Sequence, residues 1–124
     1  MIDNDYYISP PQTSSHALWH HDVGQAGVYH PRSTLMVKVF YLLSDVPPDG
    51  GGTALLPGSH RYPLDFRYPR VENPDEMPGH VRMSHPAGTA YLFNRRIYHA
   101  ALNNRTNETR RVLIYNYGHF WMKV

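Results

Sequence analysis

The chain reads as one all-β domain, and three features of the sequence point there. Eleven prolines and nine glycines fall between short apolar runs rich in Val, Leu, Tyr and Phe, and proline inside a would-be helix would break it. Residues 34–45 alternate as a strand does, with an apolar odd face (Leu35, Val37, Val39, Tyr41, Leu43) opposite Thr34, Met36, Lys38, Phe40 and Leu42. Nowhere does a long amphipathic pattern of helical period develop. At 124 residues the chain can build one core and little beyond it.

The elements follow in order. Met1-Ile2-Asp3-Asn4-Asp5 is polar and acidic, unlike a secretory leader, and falls outside the expected strands. The first strand is expected over 16–23 and the second over 34–45. Apolar residues on both faces of the second predict that both faces are substantially covered, as in a sandwich. Asp45 to Gly52 is a Pro/Gly turn into a third strand over 52–57. Residues 61–79 form a long, Pro-rich aromatic loop of the kind that acts as a lid or stays disordered. Strands over 80–85 and 89–94 flank the turn Pro86-Ala87-Gly88, and strands over 97–102 and 110–120 flank the turn Asn103 to Thr109. Asn104-Arg105-Thr106 and Asn107-Glu108-Thr109 fit the glycosylation pattern, but without a leader they read as ordinary turn residues.

Composition narrows the function classes. Charged residues at 18% and hydrophobic residues at 41% describe a folded chain rather than a disordered one. A formal charge of +2 without a basic stripe argues against nucleic acid. The longest apolar stretch, Leu35 to Leu43, is interrupted by Lys38 and is too short to span a bilayer, so a cytoplasmic protein is expected. With no cysteine, thiolate zinc sites, iron–sulfur clusters and disulfides are excluded, and a metal would need nitrogen and oxygen ligands. Nine histidines make that search worthwhile.

In an extended strand, His20 and Asp22 share a face and His21 points away. An imidazole and a carboxylate from one strand, joined by the distant His99, make a 2-His-1-carboxylate triad. Such a triad leaves three positions of an octahedral metal open and suits Fe(II) oxygen chemistry. A 2-oxo acid can chelate through two of them, with O2 at the third. Its far carboxylate then needs a cation, and Arg110, at the start of the strand after His99, offers a planar fork for it. Arg111 must face the other way. Lys38 shares a strand face with Phe40 and reads either as a snorkelling lysine or as an anion anchor. His60 reads as part of a strand-ending turn, and His16, His30, His80, His85 and His119 have no spacing that suggests ligation. Arg61, Arg67, Arg70, Arg95 and Arg96 read as a solvated rim.

Trp19-His20-His21-Asp22, Leu43-Ser44-Asp45 through Gly50-Gly51, Leu55-Leu56-Pro57-Gly58-Ser59-His60, His99, Asn104 and Arg110 together resemble the phytanoyl-CoA dioxygenase family of 2-oxoglutarate oxygenases. The resemblance runs over about residues 16–120. It implies a double-stranded β-helix (jelly roll) over the single domain 1–124, in a minimal version with few or no helices. It implies His20, Asp22 and His99 as iron ligands, Arg110 as the residue gripping 2-oxoglutarate, and Phe40 beside that co-substrate, with O2 as the second co-substrate. Because Asp22 is present, the implied reaction is hydroxylation of a small organic molecule rather than halogenation, with succinate and CO2 released. Family members carry helices and a further strand before the His-x-Asp motif, where this chain has 19 residues. Ala101 and Gly50 stand where relatives often have serine and asparagine. A truncated, non-catalytic metal- or ligand-binding jelly roll is therefore the alternative, and a homodimer could compensate for the short N-terminal part. A cupin-type metalloenzyme working without 2-oxoglutarate is disfavoured by the lack of a His-x-His plus glutamate pattern.

Overall fold

The computed structural model describes residues 3–15, 17–22, 34–63 and 65–119. Strands β1 (Asp3–Ser9), β2 (Met36–Leu42), β3 (Thr53–Leu55), β4 (Val81–Arg82), β5 (Ala90–Asn94), β6 (His99–Ala101) and β7 (Arg110–Gly118) form two antiparallel sheets. The larger sheet has the order β1-β7-β2-β5 and the smaller the order β4-β3-β6. Among the described residues, helix is confined to two short 3-10 turns, Ser59–Arg61 and Pro74–Glu76. The sheets face one another across a core of Phe40, Leu42, Val46, Phe93, Ile97 and Val112. This is the double-stranded β-helix in a reduced form.

Register sets which residues enter the barrel. Lys38, Phe40 and Leu42 pair with Asn116, Ile114 and Val112, and Arg110 pairs with Ser9, so all share the inner face. The odd residues of β2 lie on the outer face, where Tyr41 is 39% and Leu43 49% exposed, and Leu92 on β5 is 67% exposed. The expectation that both faces of this strand are substantially covered is therefore corrected in degree: the fully buried residues Met36, Phe40 and Leu42 lie on the even face, whereas the odd face is partly covered, with Val37 and Val39 half-buried and Tyr41 exposed. A period-two pattern shows two apolar faces, but burial depends on whether a second layer exists to cover each.

Two strand assignments also change. The N-terminal segment, read as a polar lead-in, is β1, and its pairing with β7 runs from Asp3↔Asn116 to Ser9↔Arg110. Tyr6-Tyr7-Ile8 carries the β-forming residues that the acidic flank obscured. Conversely, the described part of 16–23 is not a regular strand. His20 exchanges backbone hydrogen bonds with His99 at 2.9 and 3.0 Å, and Ala101 donates to the Ala17 carbonyl at 2.9 Å. The segment thus takes three steps where β6 takes two, which interrupts the ladder as a bulge does. The remaining strands are shorter than expected but fall within the expected ranges.

Asn104, read as a turn residue, ties the turns together. It is 2% exposed. Its amide donates to the carbonyls of Ser9, Pro10 and Glu108 at 3.2, 3.0 and 2.8 Å, while its Oδ1 accepts from Thr106 N and Oγ1. Gly51, at φ 75, packs so closely on it that a Cβ there would come within 2.9 Å of the Asn104 Cβ. Asn104→Ala removes the amide's bonds to three carbonyls, one of them on buried Ser9, and is expected to cost about 1–3 kcal/mol. Denaturant unfolding reads this as a lowered midpoint at unchanged slope.

Candidate metal centre

His20 leaves the irregular segment beside β6, and His99 opens β6, so the backbone bridge between them brings their rings to 4.4 Å. Asp22 follows two residues on, on the same side. His20 Nε2 lies 3.3 Å from Asp22 Oδ1, and His99 Nε2 lies 3.4 Å from Asp22 Oδ2. One ligand atom from each of the three residues lies within 4.8 Å of the others. Two ligands about 2.1 Å from an octahedral metal sit roughly 3 Å apart along the shared edge, so these separations suit a single ion.

Both imidazoles are oriented from behind. His20 Nδ1 contacts the Leu18 carbonyl at 2.6 Å and His99 Nδ1 the Ile97 carbonyl at 2.7 Å. A carbonyl only accepts, so each Nδ1 carries a proton, and Nε2 is the ring nitrogen that faces Asp22. Backbone carbonyls that fix tautomer and ring direction are the usual support for a metal-binding histidine. His99, 4% exposed, has its pKa pushed down to about 4 by burial, against the pull of Asp22, and stays neutral at physiological pH. His20 is shifted upward by its hydrogen bond to Asp22, with partial burial opposing. Burial alone would raise Asp22, but the His20 hydrogen bond and the Lys38 ammonium hold it well below the usual carboxylate range. Asp22 is therefore an anion, and its buried Oδ2 is held by an ion pair with the Lys38 ammonium at 2.7 Å rather than by an aligned hydrogen bond.

His20 and His99 open onto a cavity of about 330 Å³ whose walls also include Lys38, Phe40, Thr53, Arg110 and Tyr7. Arg110 is 4% exposed. Its Nε is buried without a partner, and Nη2 reaches Thr53 Oγ1 only at 3.5 Å. Burial pulls its pKa below the ordinary arginine value, opposed by the phenols of Tyr91 and Tyr7. No carboxylate pairs with it among the described residues, so this is a desolvated guanidinium facing a cavity, the arrangement that favours an incoming anion. Arg111 is exposed, as strand parity requires. Phe40 stacks on Tyr91 at 5.1 Å, and Phe93 packs against both Phe40 and His99. Lys38 Nζ lies 2.7 Å from Asp22 Oδ2 with its side chain 15% exposed, which sets aside the snorkelling reading.

Sequence reasoning missed the groups around Arg110. Tyr91 donates to Thr53 Oγ1 at 3.1 Å, and Tyr7 lies near enough for the guanidinium to act on its phenol. Finding Tyr7 required recognising β1. Finding Thr53 and Tyr91 required knowing which faces of the two sheets meet.

Residues on the far side of the His20 segment serve a different purpose. His21 Nδ1 donates to the Arg96 carbonyl, and its ring packs on Tyr68 and Tyr98. Tyr68 and Tyr98 stack at 3.8 Å, while Trp19 Nε1 donates to the Pro74 carbonyl at 2.7 Å. The described part of the 61–79 loop is thus anchored by aromatic packing behind the triad, without a long ordered element of its own. Arg96 is 8% exposed and donates to the Tyr62 carbonyl, so it is not part of a solvated rim. Arg95 is half-buried, with Nη1 on Met36 Sδ, while Arg61, Arg67 and Arg70 are exposed as expected. Ser59 closes the Pro-Gly-Ser-His turn through bonds to Leu56 O and Tyr98 N, with Gly58 at φ 83. His80 Nδ1 donates to Met77 O, away from the triad, while His16 and His30 lie outside the described residues.

Among the described residues no helix is long and apolar enough to cross a membrane. Comparison with known proteins agrees with the geometry. The chain is 36% identical over 79 residues to the dioxygenase olcK of Penicillium canescens, covering 64% of this chain and 24% of that protein. It is 28% identical over 133 residues to the L-proline trans-4-hydroxylase of Streptomyces griseoviridis, covering 87% of this chain and 47% of that one. Its fold superposes on the non-heme alpha ketoglutarate dependent epimerase SnoN from nogalamycin biosynthesis with a TM-score of 0.72 at 25% identity, over 94% of this chain and 48% of that one. The chain spans less than half the length of each of these relatives. The family model for phytanoyl-CoA dioxygenase matches residues 1–112, and with the His-x-Asp and His99 geometry in place, the chain belongs to the phytanoyl-CoA dioxygenase family.

Proposed function

We propose that this domain is the core of an Fe(II)- and 2-oxoglutarate-dependent dioxygenase that hydroxylates a small organic molecule. One observation carries the reading: two histidines, each locked by its own backbone carbonyl, aim Nε2 at a single buried carboxylate. His20, Asp22 and His99 would hold the iron. When bound, the iron supplies O2 activation driven by oxidative decarboxylation of the co-substrate to succinate and CO2.

The chain's own residues bind and orient. Arg110 receives the far carboxylate of 2-oxoglutarate through its fork, with Thr53 beside it. Phe40 supplies an apolar wall along the carbon chain, and Lys38 adds a second positive charge to the same cavity. Burial of Arg110 and Phe40 keeps water away from that end, which strengthens the charge pairing. Asp22 occupies the position whose loss would admit a halide, which supports hydroxylation; the name of the proline hydroxylase relative agrees with it.

Anaerobic addition of Fe(II) and 2-oxoglutarate is expected to produce a metal-to-ligand charge-transfer band in the visible, lost in Asp22→Ala. A folded protein giving no band would count decisively against this function. Succinate release, screened over a metabolite library, then identifies the substrate. A second reading, a binding module that does not turn over, is favoured by the 38% exposure of the His20 side chain, which leaves the site open to solvent. Substrate-dependent succinate formation eliminates it.

A further inference from the structure

Lys38 has a task at this centre beyond adding charge. Its Nζ sits 2.7 Å from Asp22 Oδ2, at the wall of the cavity, with 15% of the side chain exposed. Asp22 offers two oxygens to the triad: Oδ1 faces His20 Nε2 and Oδ2 faces His99 Nε2 at nearly equal distances. Nothing in that symmetry makes the carboxylate bind a metal through one oxygen rather than both. The ammonium breaks it. Arg95 Nε, 4.0 Å from the same oxygen, is beyond hydrogen-bond reach and is held elsewhere by Met36.

The number of oxygens matters. Two imidazoles and one carboxylate oxygen take half of an octahedron, leaving three positions. A chelating 2-oxo acid needs two of these and O2 the third. A bidentate Asp22 would remove one position and leave no place for both. For Oδ2 to join the metal, the ammonium 2.7 Å from it would sit about 4 Å from a divalent cation, a repulsion that low local dielectric makes large. The pair would also be lost. With Oδ2 held by Lys38, Oδ1 is the oxygen left for the metal.

We propose that Lys38 is a positioning residue that pins Asp22 Oδ2 and so confines Asp22 to one-oxygen ligation, keeping the third open coordination position free. The proposal rests on the triad being a metal centre, as set out under the proposed function. Outer-shell partners of ligating carboxylates act in this way by fixing orientation. Here the partner is a cation on the neighbouring sheet, brought to the triad only by closure of the barrel.

The test counts exchangeable waters on Mn(II) bound to the whole chain, read by water-proton relaxation, with no turnover involved. Wild-type protein is expected to keep three waters on the ion, falling to one when 2-oxoglutarate is added. Lys38→Met is expected to keep two, falling to none, and Lys38→Arg to restore the wild-type count. A wild-type count of two overturns the proposal outright, whether or not Lys38→Met folds. So does a folded Lys38→Met that retains three waters, including one whose thermal stability alone has dropped, since a merely structural lysine would behave that way. If His99→Ala binds Mn(II) as tightly as wild type, the metal-centre reading falls and the proposal with it. If His99→Ala loses Mn(II) while Lys38→Met keeps three waters, only the role of Lys38 is refuted.

Discussion

Replacing His99 with alanine is expected to abolish metal binding while leaving a folded chain. His99 is the most enclosed of the three proposed ligands, 4% exposed, with Nδ1 on the Ile97 carbonyl and its ring against Phe93. The loss removes one of three protein ligands, and removing even an outer-shell partner typically costs 10–100-fold in metal affinity. A drop of more than about 100-fold is therefore expected on the same scale. The fold should survive, because β6 is held to β3 by backbone pairing (Leu55↔His99, Thr53↔Ala101) and to the His20 segment by backbone bonds that alanine retains. Calorimetric titration with Mn(II) beside circular dichroism separates the two effects. Unchanged Mn(II) affinity in folded His99→Ala would overturn the ligand assignment.

Replacing Arg110 with alanine is expected to weaken 2-oxoglutarate binding with little effect on the metal. The guanidinium is buried, has no carboxylate partner among the described residues, and has an unpartnered Nε. A hydrogen bond to a charged group in such surroundings is worth about 1.5–3 kcal/mol, which is roughly a 10- to 150-fold rise in the dissociation constant. Anaerobic titration of the charge-transfer band measures it directly. Unaltered co-substrate affinity would transfer the anchoring role to Lys38. The substitution also relieves a desolvated charge, so thermal stability is expected to hold or rise, which distinguishes lost binding from lost folding.

Much of the site was legible because its chemistry is written in local spacing. The parity of an extended backbone put His20 and Asp22 on one side and His21 on the other, and it separated buried Arg110 from exposed Arg111. The bulged course of residues 17–20 did not disturb this, because the ligands need only the alternation of consecutive residues and not a continuous ladder. The Pro57-Gly58-Ser59-His60 turn and the succession of short strands were legible for the same reason. Other features were not. β1 escaped notice because the acidic residues around Tyr6-Tyr7-Ile8 argue against a strand until β7 is there to pair with it. Arg96 and Asn104 look like surface residues in sequence, yet each is buried among partners far along the chain.

The sequence by itself determined the all-β class, the succession of strands from β2 to β7, the side of the chain on which His20, His21 and Asp22 lie and the nitrogen–oxygen character of any metal site. Only the tertiary structure decided that Lys38 lies on Asp22, that Thr53, Tyr91 and Tyr7 surround Arg110, and that the odd face of β2 is only partly covered. The division has one physical cause. Side-chain alternation is a property of consecutive peptide units and can be read from spacing. Which faces meet is settled by closing two sheets over one core, and that depends on every strand at once.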